Sequence, residues 1–335
     1  MKVFLYTEAL KAVGKSGLGK AIEHQKEALT KVGVNYTLNG KDDYDIVHIN
    51  FYLPKSYLVA KRAKRKGKKV VYHAHSTEED YINGFILAKQ TSKLFKWWLI
   101  KCYRLGDVIV TPTEYSKKIL SSYPHLNEKK IYAISNGINL DLFKRDKKLG
   151  IEFRKKYNIK EKEKVIIGIG LYIERKGIVD FVELARRMPE YKFIWFGYSP
   201  LSVATKKVRE AVNTKLDNLV FAGYVEQEEI HKAMCGCDLY IFPTLEETEG
   251  IPIIEALACK TKAIVRDIPI FEDFLTDGVD CYKAKDVDEF EEKIKKILND
   301  ELKDVSEAGY HLAKERSIES VGKKLKEVYE EVLKK

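Results

Sequence analysis

The stretch DLYIFPTLEETEGIPIIEALACK, residues 238–260, decides the fold class. A strand-like run ends at Thr244, a loop rich in carboxylates follows, and an apolar helical run begins near Pro252. Gly250 permits a close approach of the backbone, and proline suits the first turn of a helix. The unbonded amides at the start of such a helix form an anion site at the carboxyl end of the strand. The stretch therefore predicts a strand–loop–helix unit of an α/β fold, with a ligand site at its loop.

The same alternation extends along the chain on both sides of this stretch. Strand-like runs start at 2, 45, 68, 107 and 130, and again at 164, 192, 219, 238 and 261, with helical patterns between them. A charged segment at 140–163 separates the two groups. We predict two Rossmann-like, doubly wound domains, 1–155 and 156–316, facing across a cleft, followed by an amphipathic helix at 317–335. Ligands of such sheets bind at the carboxyl ends of the strands.

The composition is that of a globular protein, with 45% hydrophobic and 33% charged residues in a chain of 335. The sequence has no long uncharged apolar run, and its amino terminus lacks a signal-peptide layout, so we expect a cytoplasmic protein. Five scattered cysteines fit a reducing compartment. Cys235 and Cys237 lack a second ligand pair at zinc-site spacing, and we expect them to be small buried residues.

The net charge of +10 favours anionic partners. Residues 60–69 carry seven basic side chains, and residues 93–104, KLFKWWLIKCYR, interleave cations with aromatic residues as an interfacial helix does. The alternative is a half-buried helix beside a solvated run of charge. The candidate membrane-binding residues are Lys96, Trp97, Trp98, Lys101 and Arg104.

Two carboxylates, Glu247 and Glu255, lie close to the predicted anion site. They would repel bound phosphates, so we expect them to bind hydroxyl groups. A site with backbone amides to bind phosphate, one carboxylate to bind ribose and one to bind a sugar suits a nucleotide-sugar. The alternative is that Glu255 only interacts with the helix dipole and that the acidic loop is merely solvated.

Several motifs together resemble glycosyltransferase family 4, which contains retaining GT-B enzymes. They are EETEGIPIIEALA (246–258), YAISNGINLDLF (132–143), TPTEYSKKIL (111–120), LVFAGYVEQEEI (219–230) and IGIGLYIERKGIVDFVELA (167–185). Within the family, SGLGKAIEHQ, ERKGIVDF and EETEGIP are most similar to the branch that glycosylates glucosyl-diacylglycerol and related lipids.

The resemblance implies a role for each matching position. Glu255 would bind the donor ribose, Glu247 the transferred sugar, and the backbone at Gly250, Ile251 and Pro252 its hydroxyls and phosphate. Lys176 and Arg175 would neutralise the diphosphate as it leaves, and fixed cations there stabilise the transition state. From the first domain, Ser16 and Gly17 would approach the diphosphate; a packing turn is the alternative.

His75, at the end of the strand run 68–75, matches a family histidine close to the transferred sugar, where we expect it to position hydroxyls by donating a hydrogen bond. The leaving phosphate itself is the expected acceptor of the proton. No Asp-x-Asp pair is apparent, so we expect neither a metal nor another cofactor. The family usually has arginine where this chain has Leu171, and we assume that Arg175 supplies that charge.

We therefore predict a retaining glycosyltransferase that moves a hexose from a UDP-sugar, or a GDP-sugar, to a glycolipid at an anionic membrane surface on the inner face of the cell membrane. A soluble polysaccharide or protein glycosyltransferase and a sugar-nucleotide epimerase are the alternatives. A nicotinamide-dependent dehydrogenase lacks its glycine fingerprint here, and nucleic-acid binding would not explain the paired glutamates. We expect Glu247→Ala to lower turnover far more than folding stability.

Overall fold

The computed structural model describes residues 1–9, 17–82 and 88–334, which form two compact units. The first unit contains the described residues of 1–82 and 88–139 together with 316–334, and the second contains 140–315. The chain thus leaves the first unit, builds the second, and returns to the first for its last helix.

The first unit is built on a six-stranded parallel sheet with the order β2-β1-β3-β4-β5-β6. Its central strands are apolar and buried on both faces, as expected of a parallel sheet covered by helices. The strands are β1 (Lys2–Tyr6), β2 (Asn35–Thr37), β3 (Ile46–Ile49), β4 (Lys69–His73), β5 (Val108–Thr111) and β6 (Ile131–Ala133).

The helices of the first unit include the last helix of the chain. They are α1 (Gly17–Lys31), α2 (Pro54–Arg65), α3 (Glu78–Ile82), α4 (Ala88–Tyr103), α5 (Glu114–Ser122) and α13 (Ile318–Lys334). The apolar face of α13 carries Val321, Leu325, Val328 and Val332, and all four side chains are buried in one cluster with strand β1 and helix α1. The core of the first unit is therefore completed by the end of the chain.

The second unit has a parallel sheet with the order β12-β11-β10-β7-β8-β9. Read from its other edge, this is the 3-2-1-4-5-6 order of dinucleotide-binding folds, in which the strand order reverses between β7 and β10. The strands are β7 (Val165–Ile169), β8 (Lys192–Phe196), β9 (Leu219–Gly223), β10 (Leu239–Phe242), β11 (Ala263–Arg266) and β12 (Tyr282–Ala284).

Seven α-helices and three short 3₁₀ turns are described in the second unit. The helices are α6 (Lys147–Lys156), α7 (Ile178–Arg187), α8 (Lys206–Val212), α9 (Gln227–Gly236), α10 (Ile251–Ala258), α11 (Val287–Leu298) and α12 (Ser306–Glu315). The turns are Glu174–Lys176, Leu201–Val203 and Pro269–Phe271. None of the helices in the described ranges of either unit combines the length and apolarity needed to cross a membrane.

Two details differ from the sequence-based prediction. We placed the boundary at 155/156, whereas helix α6 packs within the second unit, so closely that a side chain at Gly150 would meet the Cys235 carbonyl. Strands β2 and β12 were not predicted, and each has only three residues.

Candidate active site

The carboxyl ends of β7 and β10 meet where the strand order of the second sheet reverses. Ligands of open α/β sheets bind at such a point. The chain leaves β7 into the turn Glu174–Lys176, and it leaves β10 into the acidic loop 243–250 that leads to α10. Both segments carry the residues that the sequence analysis selected for the donor.

A buried ion pair joins these two segments. Lys176 donates a hydrogen bond to Oε1 of Glu247, and a guanidinium nitrogen of Arg175 lies 3.7 Å from Oε2. Thr244 also donates to Oε1 of Glu247, at 2.9 Å. Burial alone would raise the pKa of Glu247, but the charges of Lys176 and Arg175 outweigh it and hold that pKa below its ordinary value. Glu247 is therefore a carboxylate at neutral pH.

Arg175 also fixes the backbone of the acidic loop. Its guanidinium donates to the carbonyl of Glu246 at 2.7 Å, and its own carbonyl accepts from the Thr244 hydroxyl at 3.0 Å. Gly177, which follows the turn, has φ +74°, and a Cβ there would lie 2.2 Å from the carbonyl oxygen of Pro243. Only glycine allows this approach, which holds Lys176 against the end of β10.

Helix α10 begins directly after Gly250, whose φ of +87° places it in the left-handed region. Pro252 has no backbone N–H, and the amide of Ile253 already donates to the Gly250 carbonyl at 3.1 Å. Glu255 is fully buried. Glu255 is the fifth residue of the helix and begins its second turn.

Ser16 lies outside the described residues, and Gly17 is the first residue of helix α1. The loop that we expected to approach the diphosphate therefore ends at the amino terminus of this helix. The role of Gly17 stays a prediction.

His75 follows strand β4 and stacks on His73, with ring centroids 3.9 Å apart. Its Nε2 lies 3.3 Å from Oδ1 of Asn50, whose side-chain amide donates to Oε1 of Gln25 at 2.8 Å. These contacts make Nε2 the donor nitrogen of His75 and leave Nδ1 with a lone pair. The hydrogen bond that we expected His75 to donate to a sugar hydroxyl is donated to Asn50 in this structure.

The chain of polar contacts continues into the core of the first unit through His48. Gln25 donates to Nε2 of His48 at 2.9 Å, His73 Nδ1 lies 3.1 Å from the same nitrogen, and His48 Nδ1 contacts the Tyr329 hydroxyl at 2.7 Å. Burial lowers the pKa of both His48 and His75 to about 3, so both rings are neutral at physiological pH.

Sequence reasoning did not assign this supporting chain. The available signal was polar residues within apolar strand runs: His48 and Asn50 in DIVHIN, and His73 in KKVVYHAH.

Helix α4 carries the predicted membrane residues on different faces. Trp97 is 55% exposed, whereas the neighbouring Trp98 packs against the core and donates its indole N–H to the Tyr52 carbonyl at 2.6 Å. Trp98, which we selected as a candidate membrane-binding residue, is thus turned towards the core, because successive helical residues point in different directions.

The basic residues of α4 and its end line a cavity of about 650 Å³. Lys96 lies 2.9 Å from Glu78 and 4.1 Å from the centre of the Tyr123 ring, so part of its charge is already neutralised. The residues that line the cavity are Glu78, Lys93, Lys96, Trp97, Ile100, Lys101, Arg104, Pro124 and His125.

Known protein families and structures match nearly the whole chain. The family model described as "Glycosyltransferase Family 4" matches residues 30–142, and "Glycosyl transferases group 1" matches residues 151–316. A structure of HepE from Anabaena, in complex with UDP-glucose, superposes with a TM-score of 0.78 at 16% identity, over 99% of this chain and 100% of that one. This similarity shows the GT-B fold.

Two relatives place the chain more closely. The "Processive diacylglycerol alpha-glucosyltransferase" of Acholeplasma laidlawii is 40% identical over 100% of this chain and 99% of its own. The "Alpha-galactosylglucosyldiacylglycerol synthase" of Streptococcus pneumoniae is 22% identical over 93% of this chain and 84% of its own. The chain is a glycosyltransferase, and it belongs to glycosyltransferase family 4, in the branch that contains these glycolipid enzymes.

Proposed function

We propose that the protein transfers glucose from UDP-glucose to a diacylglycerol-based acceptor, a lipid or a glycolipid, with retention of the α configuration. The observation that carries this proposal is the full-length similarity, at 40% identity, to a diacylglycerol α-glucosyltransferase. The name of that relative gives an α-linked product, and UDP-glucose is itself an α-glucoside. Transfer therefore keeps the configuration of the anomeric carbon.

In this proposal the second unit binds the donor. Lys176 and Arg175 meet the diphosphate at the end of β7, where the bond to the sugar breaks and negative charge grows on the leaving oxygens. Both cations are already ordered by Glu247, so they need little rearrangement when charge develops. Glu247 then exchanges part of its contact with Lys176 for hydroxyls of the transferred sugar.

Glu255 binds the ribose hydroxyls from helix α10. A fully buried carboxylate needs hydrogen-bond donors, and a diol supplies two of them. The amide of Ile251, at the start of the same helix, points towards the anionic part of the donor.

The reaction needs no metal ion in this proposal. Two fixed cations, Lys176 and Arg175, do the work that a divalent ion performs in other nucleotide-sugar enzymes. His75 contributes from the first unit. Its Nδ1 lone pair accepts a hydrogen bond from a hydroxyl of the acceptor, while Asn50 fixes the ring through Nε2.

The acceptor is reached at an anionic membrane surface, where the protein is peripheral. Exposed Trp97 and Leu94 supply apolar contact, and Lys93, Lys101 and Arg104 surround a cavity that suits phosphate groups of lipids. A basic residue near such a surface contributes about 1 kcal/mol to binding. The inner face of the cell membrane has this charge.

The test is glucose transfer by the purified protein to vesicles that contain diacylglycerol or monoglucosyl-diacylglycerol, with or without anionic phospholipid. UDP-glucose, UDP-galactose and GDP-mannose are compared as donors, and the product is analysed by mass and anomeric configuration. We expect an α-glucosylated lipid from UDP-glucose, faster on anionic vesicles. The Glu247→Gln variant serves as the inactive control.

Other outcomes contradict specific parts of the proposal. A product formed only with soluble saccharides excludes the lipid acceptor, and isomerised donor without any acceptor indicates an epimerase. Activity that is lost with EDTA and restored by Mg²⁺ or Mn²⁺ contradicts metal-free donor binding.

A further inference from the structure

Three side chains that bind soft metal ions converge in the interior of the second unit. His231 and Cys235 lie one turn apart on helix α9, and Cys259 caps the carboxyl end of helix α10. A ring nitrogen of His231 and the Sγ atoms of Cys235 and Cys259 all lie within 4.8 Å of one another. All three residues are buried. In the sequence they are distant from Arg175 and Lys176, the cations that we assign to the donor, and they belong to other elements.

Backbone groups already orient two of the three side chains. The imidazole Nε2 of His231 lies 2.7 Å from the Lys144 carbonyl, to which it donates, so Nδ1 keeps the lone pair. The amide of Asp146 donates to Sγ of Cys235 at 3.4 Å. Histidines that bind metals usually donate their second ring N–H to a carbonyl or carboxylate in this way.

We propose that His231, Cys235 and Cys259 bind one Zn²⁺ ion as three of its four ligands. Thiolates and imidazole are the preferred protein ligands of zinc, at about 2.3 Å for sulfur and about 2.0 Å for nitrogen. A tetrahedral site with these bonds needs donor atoms roughly 3.6 Å apart, and the three donor atoms here lie within 4.8 Å of one another. Binding replaces two S–H protons with two Zn–S bonds and releases both protons.

Cys237 is not part of this site. Its sulfur contacts the Met234 carbonyl at 3.8 Å, within its own helix turn. The neighbour of Cys235 in space is Cys259, which lies in a different helix and far along the sequence. Spacing within the CGC motif therefore gives no indication of the cluster.

The site would join helix α9 to the end of helix α10. Glu255 lies one turn before Cys259 on α10, and Ile251 begins the same helix. A metal ion at this position would fix the helix that carries Glu255 without contacting the donor. The inference does not depend on which acceptor the enzyme uses.

Metal content is measured on the full-length protein, purified under reducing conditions, by mass spectrometry after equilibration with Zn²⁺ and desalting. We expect about one zinc per chain in the wild type and in the controls Cys237→Ser and Cys281→Ser, which change buried cysteines outside the cluster. The variants Cys235→Ser and Cys259→Ser should lose the bound zinc. Co²⁺ in place of zinc should give a thiolate-to-metal charge-transfer band in the wild type and the two controls, but not in Cys235→Ser or Cys259→Ser.

A measurement on the wild type alone covers the case in which a variant fails to fold. Zn²⁺ should raise the melting temperature of metal-free protein and protect two thiols from alkylation. Reduced protein that takes up neither Zn²⁺ nor Co²⁺ would overturn the proposal. So would zinc retained in Cys235→Ser, or a Cys235–Cys259 disulfide recovered in place of bound metal.

Discussion

Lys176 and Glu247 form an ion pair whose two side chains are only 15% and 8% exposed, although 71 residues separate them in the sequence. The pair joins the end of β7 to the end of β10, where the strand order reverses. It also keeps a lysine charged and ordered at the position proposed for the leaving diphosphate.

Substitution of Glu247 should therefore affect stability as well as turnover, which changes the expectation from sequence alone. In Glu247→Ala the Lys176 ammonium stays buried without its carboxylate, which costs about 3–5 kcal/mol of unfolding free energy. We expect Glu247→Gln to lower kcat by about 10²-fold or more. Urea unfolding and initial rates of transfer measure the two effects.

The double variant Lys176→Met with Glu247→Gln is the matched control. Removal of both charges should restore most of the stability that Glu247→Gln loses, while activity stays low because the cation is gone. Equal stability of Glu247→Gln and the double variant would show that Lys176 and Glu247 are not energetically coupled.

A second prediction concerns the arginine that the family usually has at the position of Leu171. Leu171 is 42% exposed at the end of β7, so an arginine fits there without repacking. If Arg175 supplies the missing charge, Arg175→Gln should lower kcat/KM for the donor by about 10²-fold. Addition of Leu171→Arg should recover at least about tenfold of that loss. Failure to recover would mean that Arg175 acts mainly by holding the Glu246 carbonyl.

Gly177→Ala should destabilise the second unit by more than about 2 kcal/mol, because it combines a left-handed backbone with a clash against Pro243. Gly223 is the matched control in the same unit: its φ is +71°, but no atom lies within 4 Å of the position of an added Cβ. The excess loss in Gly177→Ala over Gly223→Ala, measured by urea unfolding, gives the contribution of the close approach. Equal losses of unfolding free energy in the two variants would show that the close approach to Pro243 contributes nothing.

Trp97 and Trp98 provide a test of the membrane surface with neighbouring residues. Trp97→Ala should weaken binding to anionic vesicles several-fold and leave stability unchanged, since the indole is exposed. Trp98→Ala should lower stability by about 3 kcal/mol and leave the vesicle affinity of the folded protein unchanged, since it packs against the core. Vesicle sedimentation and thermal unfolding separate the two. Weaker binding by Trp98→Ala alone would reverse the assignment.

Buried His48 should make the stability of the first unit depend on pH. Burial lowers its folded pKa from 6.5 to about 3, so below pH 6.5 the unfolded chain takes up a proton that the native chain does not. The contribution of His48 to the unfolding free energy should fall by about 1.4 kcal/mol for each pH unit, from pH 6.5 down to about pH 3, in addition to the contribution of His75. Above pH 6.5 this contribution is fully present.

The variant His48→Asn tests this through the slope of stability against pH, which should become flatter whatever the absolute loss. An unchanged slope in His48→Asn would show that His48 is not the group that titrates.

The long strands and the residues of the donor loops could be read from the sequence because their signals are local. Apolar runs of β-branched, leucine and aromatic residues mark β1, β7 and β10, and Gly250 with Pro252 marks the start of α10. Strand β2 has only three residues and no alternation, so its pairing with β1 alone defines it.

Contacts between distant segments could not be predicted in the same way. The carboxylate of Glu247 was expected to meet only sugar hydroxyls, and nothing in its neighbourhood in the sequence identifies Lys176 as its partner. The Cys235–Cys259 contact and the His48–Tyr329 hydrogen bond likewise depend on how helices pack. Trp98 was assigned by composition, whereas the helix geometry decides which side chain faces outward.

The position of helix α13 has a consequence for synthesis of the protein on the ribosome. Val3 and Leu5 share their cluster with Val328 and Val332, which follow them by more than 300 residues in the chain. The sheet of the first unit therefore stays uncovered on this face until helix α13 leaves the ribosomal exit tunnel. The second unit, which is continuous in sequence, can fold in the meantime. Loss of the last turns of α13 would thus damage the unit whose sheet is translated well before that helix.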